Sequence, residues 1–302
     1  MYDRRGTVAR RFFWIKREGN PVARNVEVHG LTATLQLAAL RAAATTGHIK
    51  RATHIISRLM PGKRWADVRL PGGVLSVSLD DPYWCRIVTG LPYEPEVGEA
   101  IDAALAAEPA AQILDCGANI GYWSTYYADR TGILAIEALP HIYDRLKTAG
   151  DANGFKTLHA ALWHTTGDEL TMSWSPGLEP AASAVQNAGL ESATVVTVAI
   201  DDIAPDGPLI IKLDVEGAES DVVRGAERVR NRALWIFEDH GKDTTHASSS
   251  MFLDVGFRIG YFSGRLITVE WDELDSLKTN PAKGYNFVAW HTDGPWADLL
   301  GV

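Results

Sequence analysis

Apolar and polar positions along the chain follow three successive patterns. From Leu31 to about Met60 the residues Leu31, Leu35, Leu37, Leu40, Ile49, Ile55, Ile56 and Leu59 recur at near-helical spacing and predict one or two helices. Pro61-Gly62 closes that stretch, and the alternating segments 66–70 and 74–79, joined by Pro71-Gly72-Gly73, predict a β-hairpin. A helix is expected over 97–107. Beyond it, short apolar runs at 113–115, 133–137, 157–162, 209–215 and 234–238 alternate with helix-compatible stretches, among them 142–149 and 219–230. Segment 170–173 opens an excursion through Pro176-Gly177, and 195–199 reads as a short strand leading to Asp201-Asp202. Segments 257–262 and 287–290 supply a last pair of strands, one of them antiparallel. Alternating strands and helices of this kind predict an α/β fold, a mostly parallel sheet covered by helices on both faces.

The 302 residues hold one large domain or a domain with an extension. Three segments are expected: a basic helical extension at 1–64, a hairpin and helix at 65–110, and a cofactor-binding domain at 111–302. No apolar run is long enough to cross a membrane. The two cysteines, Cys85 and Cys116, make no disulfide framework, and no Cys/His group has zinc spacing, so a reduced, cytoplasmic setting is expected. The net charge of −9 conceals an asymmetry: residues 1–64 carry 13 Lys and Arg against three acids, while the remainder is strongly acidic. The basic segment suits an anionic surface, which would make the protein peripheral to a membrane, or a neighbouring subunit; a solvated helix explains it equally. No nucleic-acid partner is expected, and self-association stays open.

Candidate chemistry concentrates at 113–123, Ile-Leu-Asp-Cys-Gly-Ala-Asn-Ile-Gly-Tyr-Trp. A strand runs into an acid, a Gly-bounded turn and a helix start, an arrangement that brings backbone N–H groups toward a ligand. The next strand ends in Glu137, placed to accept both hydroxyls of a ribose. A dinucleotide loop wants three glycines, and this one has only Gly117 and Gly121. Asp115 would repel a pyrophosphate but suits an ammonium, which favours S-adenosylmethionine over NAD.

Two motifs, Ile-Leu-Asp-Cys-Gly-Ala-Asn-Ile-Gly at 113–121 and Ile-Ile-Lys-Leu-Asp-Val-Glu-Gly-Ala-Glu at 210–219, together resemble the FkbM family of S-adenosylmethionine-dependent methyltransferases. Tyr93-Glu94-Pro95 and Val198-Ala199-Ile200-Asp201-Asp202 are similar to that family as well. The resemblance covers roughly 66–290. It implies a Rossmann-like class I methyltransferase with a seven-stranded sheet, and O-methylation, often of sugar hydroxyls in natural-product or glycolipid pathways. It further implies that Asp115, Gly117, Asn119 and Gly121 line the methionine end of the cofactor and that Glu137 holds the ribose. Ala161 and Leu162 would border the adenine, and Glu94 would belong to the cofactor site.

Asp214, at the end of the fourth core strand, is the first candidate to contact the acceptor or the cofactor ammonium; its bland role is to cap the following helix. Glu216 and Glu219 have equally bland readings as a turn acid and a helix-dipole partner. His240 is the general-base candidate, with Glu238 contacting a substrate hydroxyl or orienting His240. Asp201, Asp202, Asp214, Glu216 and Asp239 could supply oxygen ligands to a divalent ion, but no metal is assigned. Tyr83, Trp84, Tyr93, Tyr122, Trp123 and Trp174 could stack on a sugar, although most tryptophans belong in cores. The donor loop leaves the acceptor open between hydroxyl, amine and carboxylate. An NAD-linked oxidoreductase and a non-catalytic cofactor-binding scaffold are the more distant readings.

Overall fold

A computed structural model describes residues 26–59, 62–174, 191–215, 217–239, 246–280 and 285–297. The residues before Val26, the Pro176-Gly177 excursion, Glu216 and His240 lie outside the described residues. The chain divides into two compact units. The first ends at Leu70 and resumes as Val74–Tyr93; the second comprises Pro71–Gly73 and everything from Glu94 onward.

The first unit contains β1 (Val26–Val28), α1 (Leu31–Thr45), α2 (Ile49–Leu59), β2 (Trp65–Leu70), all of β3 (Gly73–Ser78) but its first residue, and the short α3 (Cys85–Val88). The helices and hairpin appear where the pattern placed them. The segment before residue 64 is not purely helical, however, because β1 pairs antiparallel with β2 in the register Val26↔Val68. Three residues are too few for alternation to announce a strand. That pairing joins the hairpin to the N-terminal elements, so the compact units divide at Tyr93/Glu94 and not at 64/65 or 110/111. Leu37, Leu40, Val68, Leu75, Val77 and Trp84 are buried in this unit, and Gln36 donates through Nε2 to the Leu79 carbonyl at 3.0 Å.

The second unit begins with α4 (Pro95–Ala107), β4 (Gln112–Cys116), α5 (Tyr122–Tyr127), β5 (Ile133–Glu137) and α6 (Pro140–Asn153). It continues through β6 (Lys156–His159), β7 (Ala161–Leu162), β8 (Glu169–Trp174), β9 (Glu191–Val198), α7 (Ile200–Ile203), β10 (Leu209–Leu213) and α8 (Glu219–Arg224). The last elements are β11 (Ala233–Glu238), α9 (Ala247–Asp254), β12 (Phe257–Phe262), β13 (Leu266–Thr268), α10 (Leu274–Lys278) and β14 (Asn286–His291). The main sheet has the order β13-β12-β14-β11-β10-β4-β5-β6. Strands β6, β5, β4, β10 and β11 are parallel, and β14 runs antiparallel between β11 and β12. These are the seven strands expected of a class I methyltransferase; β13 adds an eighth at the edge as the return arm of β12. The central strands β10 and β11 are buried almost throughout, as a parallel sheet covered on both faces requires.

Two elements differ from expectation. The run 157–162 is one apolar segment in sequence but two strands in space. Ala160 N–H donates to the Glu137 carbonyl, and Ala161 and Leu162 then leave the main sheet to pair with Thr197 and Val198 in the small sheet β7-β9-β8. The helix expected over 219–230 stops at Arg224. Gly225 there approaches Trp163 so closely that a Cβ would lie 2.3 Å from its carbonyl oxygen, and the Gly225 carbonyl accepts from Asp201 N–H.

Candidate active site

The loop between β4 and α5 alternates left-handed and ordinary backbone, with φ of +77° at Gly117, +50° at Asn119 and +89° at Gly121. At Gly117 the need is steric: a Cβ would fall 1.8 Å from the Asp214 carbonyl oxygen. Asp214 N–H in turn donates to the Cys116 carbonyl at 3.0 Å, so the ends of β4 and β10 are tied together. The loop's N–H groups do not turn outward as the sequence suggested. Gly117 and Ala118 donate to the Ile136 carbonyl, Asn119 to Glu137 Oε2, Ile120 to Asn119 Oδ1 and Gly121 to the Ala118 carbonyl. With all five engaged inside the protein, the loop offers no cradle for a pyrophosphate.

Glu137, at the tip of β5, is buried. Its Oε2 accepts Asn119 N–H at 3.0 Å and its Oε1 accepts Leu139 N–H at 2.9 Å, which fixes the carboxyl against the loop. Burial pushes its pKa up to about 7, against the pull of the Leu139, Asn119 and Ala138 N–H groups.

The centre of the site is Lys212, a lysine inside the otherwise apolar strand Leu209–Leu213 and only 5% exposed. Its register partner on β4 is Asp115, and neighbours at matched register on parallel strands share a face of the sheet. Lys212 Nζ donates to Asp214 Oδ2 at 2.9 Å. Burial alone would lower the Lys212 pKa, but Asp214, Asp115 and Glu94 outweigh it and hold the ammonium charged. Asp115 is buried, with Oδ2 accepting the Ser124 hydroxyl at 2.6 Å and Oδ1 without a hydrogen-bond partner. Burial raises its pKa, opposed by Lys212 and Ser124.

Glu94 completes the cluster. It precedes α4 in the left-handed region (φ 39°), a conformation a glutamate holds only when its surroundings impose it. Trp123 Nε1 donates to its Oε2 at 3.5 Å. Burial, reinforced by Asp214, Glu238 and Glu96 and opposed by Lys212, pushes its carboxyl up to about 8. Glu238, the last residue of β11, sits opposite Asn286 of β14, and Asn286 Nδ2 donates to Glu96 Oε1 at 3.1 Å. The structure therefore gathers Glu94, Asp115 and Asp214 around one buried lysine, with Glu238 close enough to Glu94 to influence it. Lys212 was given no role from sequence, although a lone lysine inside an apolar strand was the available signal.

Several other candidates are occupied elsewhere. Asp214 does not cap α8, whose cap is Ala218; it pairs with Lys212 instead. Glu219 accepts the Gly217 N–H at 3.1 Å, a local turn contact. Asp201 accepts the Arg228 N–H, Asp202 accepts the Thr166 hydroxyl, and Asp239 pairs with Lys278. Among the described residues no cluster of three or more His, Cys, Asp or Glu is arranged to hold a metal ion. Trp84, Tyr93, Tyr122, Trp123 and Trp174 are buried, with Tyr83 only partly so. Ala161 and Leu162 are buried beyond the end of β6, close in chain to the Ala160–Glu137 contact.

These residues fit S-adenosylmethionine, whose sulfonium and ammonium give it a net positive charge. The carboxylates outnumber the single buried cation, a buried Asp115 oxygen lacks a partner, and the loop excludes a pyrophosphate. Strand order, loop and carboxylate-tipped β5 define a class I S-adenosylmethionine-dependent methyltransferase. Within that class, the chain belongs to the FkbM methyltransferase family: the family's model, described as the methyltransferase FkbM domain, matches residues 115–267, half of the chain. None of the curated proteins matches it. Among solved structures it is similar to the FkbM methyltransferase of Methylobacillus flagellatus at 16% identity and a TM-score of 0.37, over 61% of this chain. It spans only 44% of the length of that protein. It is also similar to a TehB-like S-adenosylmethionine-dependent methyltransferase of Corynebacterium glutamicum (14% identity, TM-score 0.38, 68% of this chain and 91% of that one). A third likeness is to Aeropyrum pernix fibrillarin, solved with bound S-adenosylmethionine (16% identity, TM-score 0.35, 63% of this chain and 73% of that one). The chain therefore carries a methyltransferase domain of the FkbM type.

Proposed function

We propose that the enzyme methylates a hydroxyl oxygen of a neutral, sugar-like acceptor, of natural-product or glycolipid kind, and that Glu94 takes the hydroxyl proton. The surplus of carboxylates around Lys212 carries this reading. A carboxylate or phosphate acceptor would meet further acidic groups at Asp214 and Glu238, while the cation beside them is already engaged by Asp214. A hydroxyl acceptor needs groups that accept its hydrogen bond and then its proton.

S-adenosylmethionine, when bound, supplies an electrophilic methyl on a sulfonium, with a neutral thioether as leaving group. Asp115 and Asp214 would hold the cationic end, Glu137 would accept from the ribose, and the Gly117, Asn119 and Gly121 turn would shape the wall beside them. Ala161 and Leu162 would border the adenine. Glu238 and Asn286 orient the acceptor hydroxyl. During methyl transfer Glu94, whose pKa of about 8 suits a base working near neutrality, would take the hydroxyl proton. The same acidic surroundings attract an ammonium, which makes N-methylation the second reading.

Labelled methyl transfer to a panel of neutral glycosides, amines and carboxylic acids tests the assignment. The expected product carries a methyl stable to mild base, and Glu94→Gln lowers kcat by about 10²- to 10⁴-fold while S-adenosylmethionine affinity changes by less than about fivefold. A product that releases methanol in base would establish carboxyl methylation instead. Unchanged turnover in Glu94→Gln together with loss in His240→Gln would move the base to His240.

A further inference from the structure

We propose that the first unit docks on an anionic phospholipid surface through the outward rows of α1 and α2. No acidic residue occurs between Glu27 and Asp67, a stretch that contains Arg41, Lys50, Arg51, Arg58, Lys63 and Arg64. On α1 the buried side is Ala33, Gln36, Leu37 and Leu40, and the exposed side repeats as Leu31, Thr34, Leu35, Ala38 and Ala42. On α2 the buried positions are Ile49 and Thr53, and two exposed rows run side by side: Lys50, His54, Arg58 and Arg51, Ile55, Leu59. The aliphatics are far from incidental in their exposure, at 76% for Leu31, 56% for Leu35 and 75% for Leu59.

Aliphatic rows bordered by exposed lysine and arginine, with no acid among them, are the pattern of a helix that lies in a membrane interface. The apolar rows enter the acyl boundary, and the cations remain with the headgroup phosphates, whose attraction adds with each basic side chain. A second copy is a poorer occupant, since a two-fold contact would set Lys50, Arg51 and Arg58 against themselves. A specific protein partner is also less suited, because Leu, Ala, Thr and Ile rows provide area without the directional anchors that protein interfaces use.

The full-length protein is sedimented with vesicles of phosphatidylcholine alone or mixed with phosphatidylglycerol. Binding to the mixed vesicles is expected, with little to the neutral ones, and it should weaken as salt is raised. Ile55→Glu/Leu59→Glu and, separately, Lys50→Glu/Arg58→Glu should each reduce partitioning by about tenfold or more. Both variants should keep wild-type S-adenosylmethionine affinity, which reports an intact fold. No vesicle binding by the wild type would overturn the proposal. So would binding that neither variant alters, since another basic segment would then be responsible. A variant that turns a dimer into a monomer without any vesicle binding would assign the face to a second copy.

Discussion

Among its described residues the second unit buries two lysines, and they differ in the number of carboxyl groups each one meets. Lys278 is 1% exposed. Its ammonium pairs with Asp239 and lies 3.0 Å from His246 Nδ1, and the other Asp239 oxygen accepts the Ser249 hydroxyl. One cation meets one carboxylate there: Asp239 Oδ1 has no hydrogen-bond partner but is met by the Lys278 ammonium in an ion pair. Lys212 is buried nearly as deeply but faces Asp214, Asp115 and Glu94, with Glu238 nearby and an Asp115 oxygen lacking a partner. A buried carboxylate surplus is costly in a protein that has nothing to bind with it, whereas a closed pair is merely structure. On the proposal above the Lys212 cluster receives a cationic ligand, whereas the Lys278 cluster joins β11, α9 and α10.

Charge removal should expose that difference most strongly. Lys278→Met and Lys212→Met should each destabilise the protein by about 3–5 kcal/mol in urea unfolding, because each strands a buried carboxylate. Adding Asp239→Leu should restore most of the Lys278 loss. Adding Asp214→Leu should restore only part of the Lys212 loss, since Asp115 stays uncompensated. Equal recovery in both double variants would erase the distinction drawn here.

Ligand affinity is the next largest effect. Asp115→Asn and Glu137→Ala should each weaken S-adenosylmethionine by about 1.5–3 kcal/mol, roughly ten- to a hundredfold by calorimetry. Ser249→Ala, in the closed cluster, should leave that affinity unchanged.

The pH dependence of stability and of turnover should run in opposite directions. Glu137 and Glu94 have pKa values of about 7 and about 8, above the ordinary 4.5, so the native state keeps protons that the unfolded chain releases. Their contribution to stability is complete below 4.5 and is lost as pH rises through 7 to 8. Thermal unfolding midpoints should show this decline, and Glu94→Gln/Glu137→Gln should flatten it. Turnover by the base assigned above should instead increase toward pH 8 as Glu94 ionises. A wild-type rate that is level below pH 8 would remove Glu94 from that role. The smallest effect is expected at Glu219→Ala, about 0.3–1 kcal/mol of stability with no change in cofactor binding, as befits a helix-start carboxylate.

Local pattern by itself determined the α/β alternation, the strand-loop-helix at Ile113–Trp123, Glu137 at the tip of the next strand, and a donor other than NAD. Each depends on spacing within a few residues, which periodicity reports directly. Tertiary structure alone decided that residues 157–162 divide between two sheets, because the choice of partner strand at Thr197–Val198 is non-local. It also decided that the loop's N–H groups turn inward, through Ile136 and Glu137 from a neighbouring strand. Above all it made Lys212 the hub of the site. The sequence places Lys212 97 residues from Asp115 and 118 from Glu94, yet strand register puts it beside the first and electrostatics joins it to the second. Periodicity records which face a residue occupies; only the pairing of strands fixes which charges share that face.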